Sequence, residues 1–476
     1  MMIVRRTALA CIAILTFATF GACRQESPAV AKLPSPSPSI VPLETPMVDP
    51  ALTLRRADYS FLTLPVIDAF LTDELFAGKV QKQLGLTGEQ LTKLRSRARQ
   101  ETAKLRETAA DTYTYSTAEA HEQAMRVLNE LLGEPKAQEF VKFVFEHWGE
   151  DLEVANASPE SSPTTKNNAL PTGVNVIPSD TRIVVNTPAF RMDVFQDGQL
   201  RKSYKIGIGY PEFPIPVALR KASTLIFNPT WTPPDEPWVE SPTSKVKVGQ
   251  TVAAGSSLNP LGPIKIPIGS PSLIHGGKVP AKIGTFASHG CVGLTNPQIQ
   301  EFAQLLAEVS GAPLTQEQLT QYAQNRTETK NVKLSKTIPV ELRYETIVVE
   351  DGKLHIYRDV YDRNTNSEAE LKRVLQTYDV KWDELSKKEQ QQLQSALKSM
   401  ALDATGKADA PSASATPVVP KDSQQPERRP ITRTIKGAKE MVIELAALQG
   451  KGYPAPVDLN TGVPSKPAAA KSAKKK

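Results

Sequence analysis

Hydrophobic residues recur at spacings of three, four and seven through Leu84, Leu91, Leu94, Ala98 and Leu105, the repeat of an amphipathic α-helix. Thr87 and Gln90, three apart near the head of this run, can form a capping box, in which each side chain satisfies the other residue's backbone N–H. A second helical stretch places Phe140, Phe143, Val144 and Trp148 on one face. Residues 53–154 therefore read as a helical accessory domain. The rhythm then changes. "RIVVN" (Arg182–Asn186) and "FRMDVF" (Phe190–Phe195) read as strands, the second alternating Phe190, Met192 and Val194 against Arg191 and Asp193. Gln196, Asp197 and Gly198 form a turn into "LRKSYKIGIG", which predicts a hairpin at the start of a β-rich domain. "TLIFNPTWTPPDEPW" (Thr224–Trp238) joins a strand to a proline-stiffened loop. Trp231 and Trp238 there are candidates to line a groove, although core packing is the commoner fate of such rings. Helical spacing returns in Ser367–Leu402, with Leu371, Val374 and Leu375 on one face, and a short helix is expected over Ala438–Leu448.

Composition separates these units. The 39 prolines of the 476-residue chain cluster between the periodic segments, so one compact domain is not expected. Residues 23–52 form a Pro/Ser-rich tether, 155–175 a linker, and 403–476 a mostly disordered region with a basic tail ending in "KSAKKK". The fold class is multidomain α+β: a β-rich domain over 176–364, helical accessory segments over 53–154 and 365–402, and disordered linkers. A formal charge of +6, from 57 basic and 51 acidic residues, is too mild and too concentrated in the tail to suggest a nucleic-acid groove.

The first residues carry the sign of export. Arg5 and Arg6 precede an apolar run from Ala8 to Phe20, too short for an ordinary membrane span and followed by small residues, so 1–22 reads as a signal peptide. "FGAC" (Phe20–Cys23) resembles the bacterial lipoprotein processing site, which implies a lipid on Cys23 and a location in the cell envelope. Arg24 stands where an aspartate retains some lipoproteins in the inner membrane, so the expected anchor is the outer membrane. Of the three cysteines, Cys11 leaves with the signal peptide and Cys23 carries the lipid. Cys291 is then the sole free thiol of an exported protein, a setting in which cysteine is usually paired.

"HGGKVPAKIGTFASHGC" (His275–Cys291) gives that thiol a context. It resembles the catalytic motif of the L,D-transpeptidase family (YkuD type), in which His-Gly is followed at a distance by Ser or Thr and then His-Gly-Cys. His275 and Gly276 supply the first half; Ser288, His289, Gly290 and Cys291 supply the second. "FNPTWTPP" (Phe227–Pro234) and "NPLGPIKIPI" (Asn259–Ile268) are similar to segments upstream of the motif in larger family members, and Ile338–Asn364 to their closing strands. The resemblance covers roughly 176–364. It implies Cys291 as nucleophile, His275 as general base and His289 as support for the site. It further implies peptidoglycan stem peptides as partners and no metal or organic cofactor. At Gly293, two residues after the cysteine, the family commonly has arginine or asparagine; Lys278 and Lys282 are candidate replacements, and Asn296 a weaker candidate for a supporting role.

The residue types suit that chemistry. A thiol with a pKa of about 8.5 is mostly protonated at neutral pH, so an imidazole is needed to take its proton. Glycine lets backbone approach a substrate closely, and amides around His289–Cys291 can face a developing oxyanion; Gly290, Ser288 and Gly276 are thus the expected oxyanion and substrate-binding positions. Three rivals compete with this reading: a zinc site built from His275, His289 and Cys291, a buried structural thiol, and a lapsed domain that binds the wall without modifying it. The zinc site has only three ligands and no Cys-x-x-Cys or His-Glu-x-x-His partner.

Overall fold

A computed structural model of the chain describes residues 62–107, 112–113, 116–147, 173–234, 239, 244–269, 271–401, 431–432, 435 and 437–463. The expected signal peptide, the tether with Cys23, nearly all of the 155–175 linker, Trp148 and Trp238 lie outside them.

Five helices precede the β-rich part: α1 (Leu64–Thr72), α2 (Glu74–Gln83), α3 (Gly88–Glu107), α4 (Thr117–Leu132) and α5 (Glu134–His147). The predicted capping box forms. Thr87 N donates to Gln90 Oε1 at 3.0 Å and Gln90 N to Thr87 Oγ1 at 3.1 Å. Ser116 and Glu119 make a second box at the start of α4, satisfying N–H groups that a helix cannot pair internally. Leu91, Leu94, Ala98 and Leu105 turn inward along α3, and Phe140, Phe143 and Val144 along α5, into one core with Phe76 and Leu128. Phe213 belongs to the same core although it comes from the β-rich part of the chain.

The central sheet has eight strands. Those that form it are β1 (Arg182–Asn186), β2 (Arg191–Gln196), β3 (Gln199–Lys205), β5 (Ala218–Phe227), β6 (Ile264–Pro267), β7 (Leu273–His275), β9 (Val292–Gly293) and β10 (Lys330–Arg343). A separate parallel pair joins β4 (Ile208–Gly209) to β8 (Phe286–Ser288). The spatial order is β9-β7-β6-β5-β10-β1-β2-β3. Neighbours are antiparallel except β10 with β1 and β9 with β7. The hairpin between β2 and β3 turns at Asp197 (φ 48°) and Gly198 (φ 80°), the pair of positive φ values that matches the twist of two-residue hairpins. Helix α6 (Asn296–Val309) lays Ile299, Phe302, Ala303 and Leu306 on the sheet and is followed by α7 (Gln316–Gln324).

A second, three-stranded sheet combines β11 (Ile347–Glu350), β12 (Lys353–Tyr357) and β13 (Glu440–Glu444) in that order, covered by α8 (Glu368–Thr377) and α9 (Lys387–Met400). Leu371, Val374 and Leu375 are fully buried there, as their spacing predicts. Residues 438–448 are not the expected helix: Glu440–Glu444 is a strand on β12, followed by a 3-10 turn at Ala446–Leu448. The burial alternates as in a strand, with Ile443 1% exposed and Val442 47%. Part of the region read as disordered is thereby ordered. Beyond the strand, Asn460 O accepts from Lys205 N at 2.8 Å and Ser203 N donates to Val457 O at 2.9 Å, fastening residues 457–460 beside β3. Arg191 and Asp193 also depart from the alternation read in the sequence. Their face of β2 is buried, because Tyr453 and the second sheet cover it.

Candidate active site

The register of two short strands brings the halves of the motif together. β7 ends at His275 and pairs in parallel with β9, Ile274 beside Val292 and His275 beside Gly293, so Cys291 sits one residue before the paired segment. Leu294 N donates to His275 O at 2.8 Å and Lys278 N to Leu294 O at 3.1 Å, which stitches the chain after His275 to the chain after Cys291. Asn296, in the first turn of α6, accepts at Oδ1 from Gly277 N at 2.8 Å. That turn is rigid because Thr295 and Gln298 form a capping box. Asn296 therefore supports the loop behind His275.

His275 is buried, 3% exposed, and its Nδ1 lies 2.7 Å from Gly276 O. A carbonyl can only accept, so Nδ1 carries the hydrogen and Nε2 is the ring nitrogen left to take a proton. Burial, followed by the nearby Lys278 ammonium, pushes the His275 pKa down to about 3; the carbonyls of Gly276 and Leu261 act in the other direction without offsetting it. The ring is neutral at rest. Cys291 is half-buried and free. Burial raises its thiol pKa, while the Leu273 backbone N–H and the Lys278 charge pull it down to a lesser extent. The resting pair is thus thiol and neutral imidazole, and attack by sulfur requires a proton to leave as the bond forms.

The turn before Cys291 is held from within. Ser288 Oγ accepts from Cys291 N at 3.0 Å and donates to Cys291 O at 2.5 Å. Gly290 adopts φ 89°, a conformation that side chains other than glycine's rarely enter. Two expectations change here. Ser288 is 4% exposed and holds the turn, so it does not face a substrate. The Cys291 N–H is taken by Ser288 Oγ, whereas the Gly290 N–H has no hydrogen-bond partner among the described residues. Gly276 is likewise buried, and its contribution is the carbonyl that orients His275; a Cβ there would come within 2.7 Å of Ile299 Cγ2.

His289 packs edge-on against two rings, Phe213 at 4.8 Å and Tyr210 at 5.2 Å between centroids. The 210–213 loop that carries them is gripped by the helical part of the chain. Thr63 Oγ1 donates to Glu212 O at 2.7 Å and Thr117 Oγ1 to Pro211 O at 2.8 Å. Tyr361 OH donates to Gly209 O at 2.8 Å from the other side. Within the loop only Phe213 N donates to Tyr210 O at 2.9 Å among the backbone bonds, and the bonds that fix its position come from distant segments that the local sequence does not reveal. Trp231 is half-buried and its backbone pairs with Val252. Among the described residues no group of three or more His, Cys, Asp or Glu is placed to hold a metal ion.

Residues 180–328, which include His275 and Cys291, match the YkuD family model, the L,D-transpeptidase catalytic domain. The segments on both sides of 180–328 lie outside the match. Solved structures similar to the chain include the catalytic domain of the Enterococcus faecium L,D-transpeptidase, at 17% identity over 35% of this chain and 98% of that one, with a TM-score of 0.22. A mutant of the longer Enterococcus faecium enzyme matches at 14% identity over 34% of this chain and 50% of that one, with a TM-score of 0.21. An L,D-transpeptidase from Mycobacterium tuberculosis H37Rv matches at 15% over 34% and 57%, with a TM-score of 0.20. The chain spans about half the length of the longer Enterococcus faecium enzyme. No match is found among curated proteins.

Proposed function

We propose that the protein is a peptidoglycan L,D-transpeptidase that forms 3,3 cross-links through a thioester on Cys291. The observation that carries this reading is the parallel β7–β9 register, which sets His275 beside the strand that follows Cys291, with its Nδ1 committed to Gly276 O. Cys291 Sγ attacks the carbonyl of the L-centred third residue of a tetrapeptide stem while His275 Nε2 takes the thiol proton. The carbonyl electron pair moves onto oxygen, where Gly290 N–H can donate to it. Collapse of this intermediate breaks the peptide C–N bond, and the departing D-alanine amine takes the proton from His275. The side-chain amine of a neighbouring stem then attacks the thioester and gives its proton to His275, which returns it to the leaving sulfur. A neutral imidazole suits both halves, because it can accept a proton before it donates one.

The same reading places the protein in the cell envelope, exported by residues 1–22 and anchored to the outer membrane through lipid on Cys23. Incubating the protein with purified disaccharide tetrapeptide and weighing the products tests the activity. A cross-linked dimer is the expected product. Tripeptide alone would instead assign a carboxypeptidase with water as acceptor, and no product from a protein whose Cys291 still reacts with iodoacetamide would assign a wall-binding role.

A further inference from the structure

Gly293 looks like an unfilled position, yet the space beside it is occupied. A Cβ built on Gly293 would lie 2.8 Å from both Cγ and Cε of Lys278 and 3.3 Å from its Cδ. The aliphatic stem of Lys278 therefore runs across the spot where a side chain at 293 would begin. Glycine here is not required by the backbone, because Gly293 is absent from the residues with positive φ. What a side chain at 293 would meet is the lysine stem. The Lys278 backbone is fixed in turn by its hydrogen bond to Leu294 O.

The stem passes Gly293, which pairs in register with His275 and lies two residues after Cys291, and the ammonium charge lowers the pKa of both groups. Lys278 is half-buried, and the charges that act on it are Cys291 and Lys282; no carboxylate is among them. Arg191, a buried cation behind β2, is by contrast held by Asp193 and Glu350. A partly desolvated ammonium with no anion among the described residues is costly to keep unless an anion arrives with the ligand. In a tetrapeptide donor that anion is close at hand. The leaving D-alanine carries its free carboxylate one carbon beyond the scissile amide nitrogen, within a few bonds of the carbonyl that Cys291 attacks.

We propose that Lys278, passing over Gly293, is the residue that binds the terminal carboxylate of the donor peptide and so restricts the enzyme to donors with a free C-terminal acid. The assignment rests on the transpeptidase reading and deepens it. It concerns formation of the thioester only, because the carboxylate leaves with D-alanine before the acceptor amine attacks.

The test compares disaccharide tetrapeptide with its C-terminal carboxamide as donors for the full-length protein, following kcat/KM for release of the last residue. Wild type is expected to favour the free acid by about 10- to 100-fold, the range for a hydrogen bond to a charged group. Lys278→Ala should lower use of the acid by that factor beyond any loss on the amide, so that the preference collapses. Lys278→Arg should keep it. Lys278→Ala combined with Gly293→Lys should restore part of it, because the second change supplies a cation from the vacated position. A preference retained in Lys278→Ala, an equal loss on both donors, or equal use of both donors by wild type would overturn the assignment while leaving the transpeptidase standing. Iodoacetamide labelling of Cys291 in each variant reports that the site is folded. Wild type that is labelled but converts neither donor would instead overturn the functional reading, and the carboxylate assignment with it.

Discussion

Two buried polar clusters lie on this protein, and they treat charge in opposite ways. Behind β2, Arg191 donates to Asp193 at 2.8 Å and also to Glu350, while Ser203 and Tyr453 hydroxyls donate to the same Asp193. Arg343 donates to Glu341 at 2.7 Å close by. Burial pulls the pKa of both arginines down, but the neighbouring carboxylates outweigh it and both stay above their ordinary value. Glu350 is pushed up, burial there outweighing Arg191. Around Cys291 the balance runs the other way. Burial raises the thiol, lowers His275 and lowers Lys278, and no buried ion pair among the described residues compensates. A cluster that satisfies itself holds two sheets together; a cluster left poised against its own charged forms is prepared to exchange protons and receive an anion.

Mutations can break this contrast. The largest effect is expected from His275→Gln, which removes the proton acceptor: kcat for tetrapeptide donors should fall by about 10²- to 10⁴-fold with the fold intact, checked by steady-state kinetics beside circular dichroism. Arg191→Leu should do the reverse. It strands Asp193 and Glu350 in the interior and should cost about 3–5 kcal/mol of stability in urea unfolding, with kcat of the folded fraction unchanged. A smaller effect links the regions outside both clusters. Thr117→Val removes the donor to Pro211 O and should destabilise by about 1–3 kcal/mol. Because that bond holds the loop on which His289 leans, kcat should fall as well, with little change in KM.

The last effect is the pH dependence that His275 lends to stability. Its ordinary pKa is 6.5 and its folded value about 3. Below pH 6.5 the unfolded chain takes up a proton that the folded chain refuses, so stability falls as pH drops toward 3 and is flat above 6.5. The slope is at most about 1.4 kcal/mol per pH unit. Unfolding midpoints at pH 7.5 and pH 5 should therefore diverge more for wild type than for His275→Asn.

What the sequence made legible was local. The Thr87–Gln90 cap, the Asp197–Gly198 turn and the inward faces of α3 and α8 are set by residues within a turn or two of each other, and they formed as read. The motif from His275 to Cys291 was legible as a string of residue types. Its geometry was not, because the placing of His275 beside Gly293 depends on the pairing of β7 with β9. The strand Glu440–Glu444 was read as helix because five residues give neither period a chance to show, and only β12, more than eighty residues earlier, selects the extended form. Arg191 and Asp193 looked like a solvent face for the same reason: Tyr453, which covers them, is far away in sequence. The Lys278 stem over Gly293 is the sharpest case, since a glycine that reads as a missing side chain is a place made for another residue's.

The central claim is that the poised cluster acts through sulfur. Mixing the protein with disaccharide tetrapeptide in the absence of an acceptor, quenching at short times in acid and weighing the intact chain tests it directly. The account predicts an adduct equal to the donor less its terminal D-alanine, mapped by proteolysis to Cys291 and missing from Cys291→Ala. An adduct on another residue, or cross-linked product from Cys291→Ala at the wild-type rate, would contradict it.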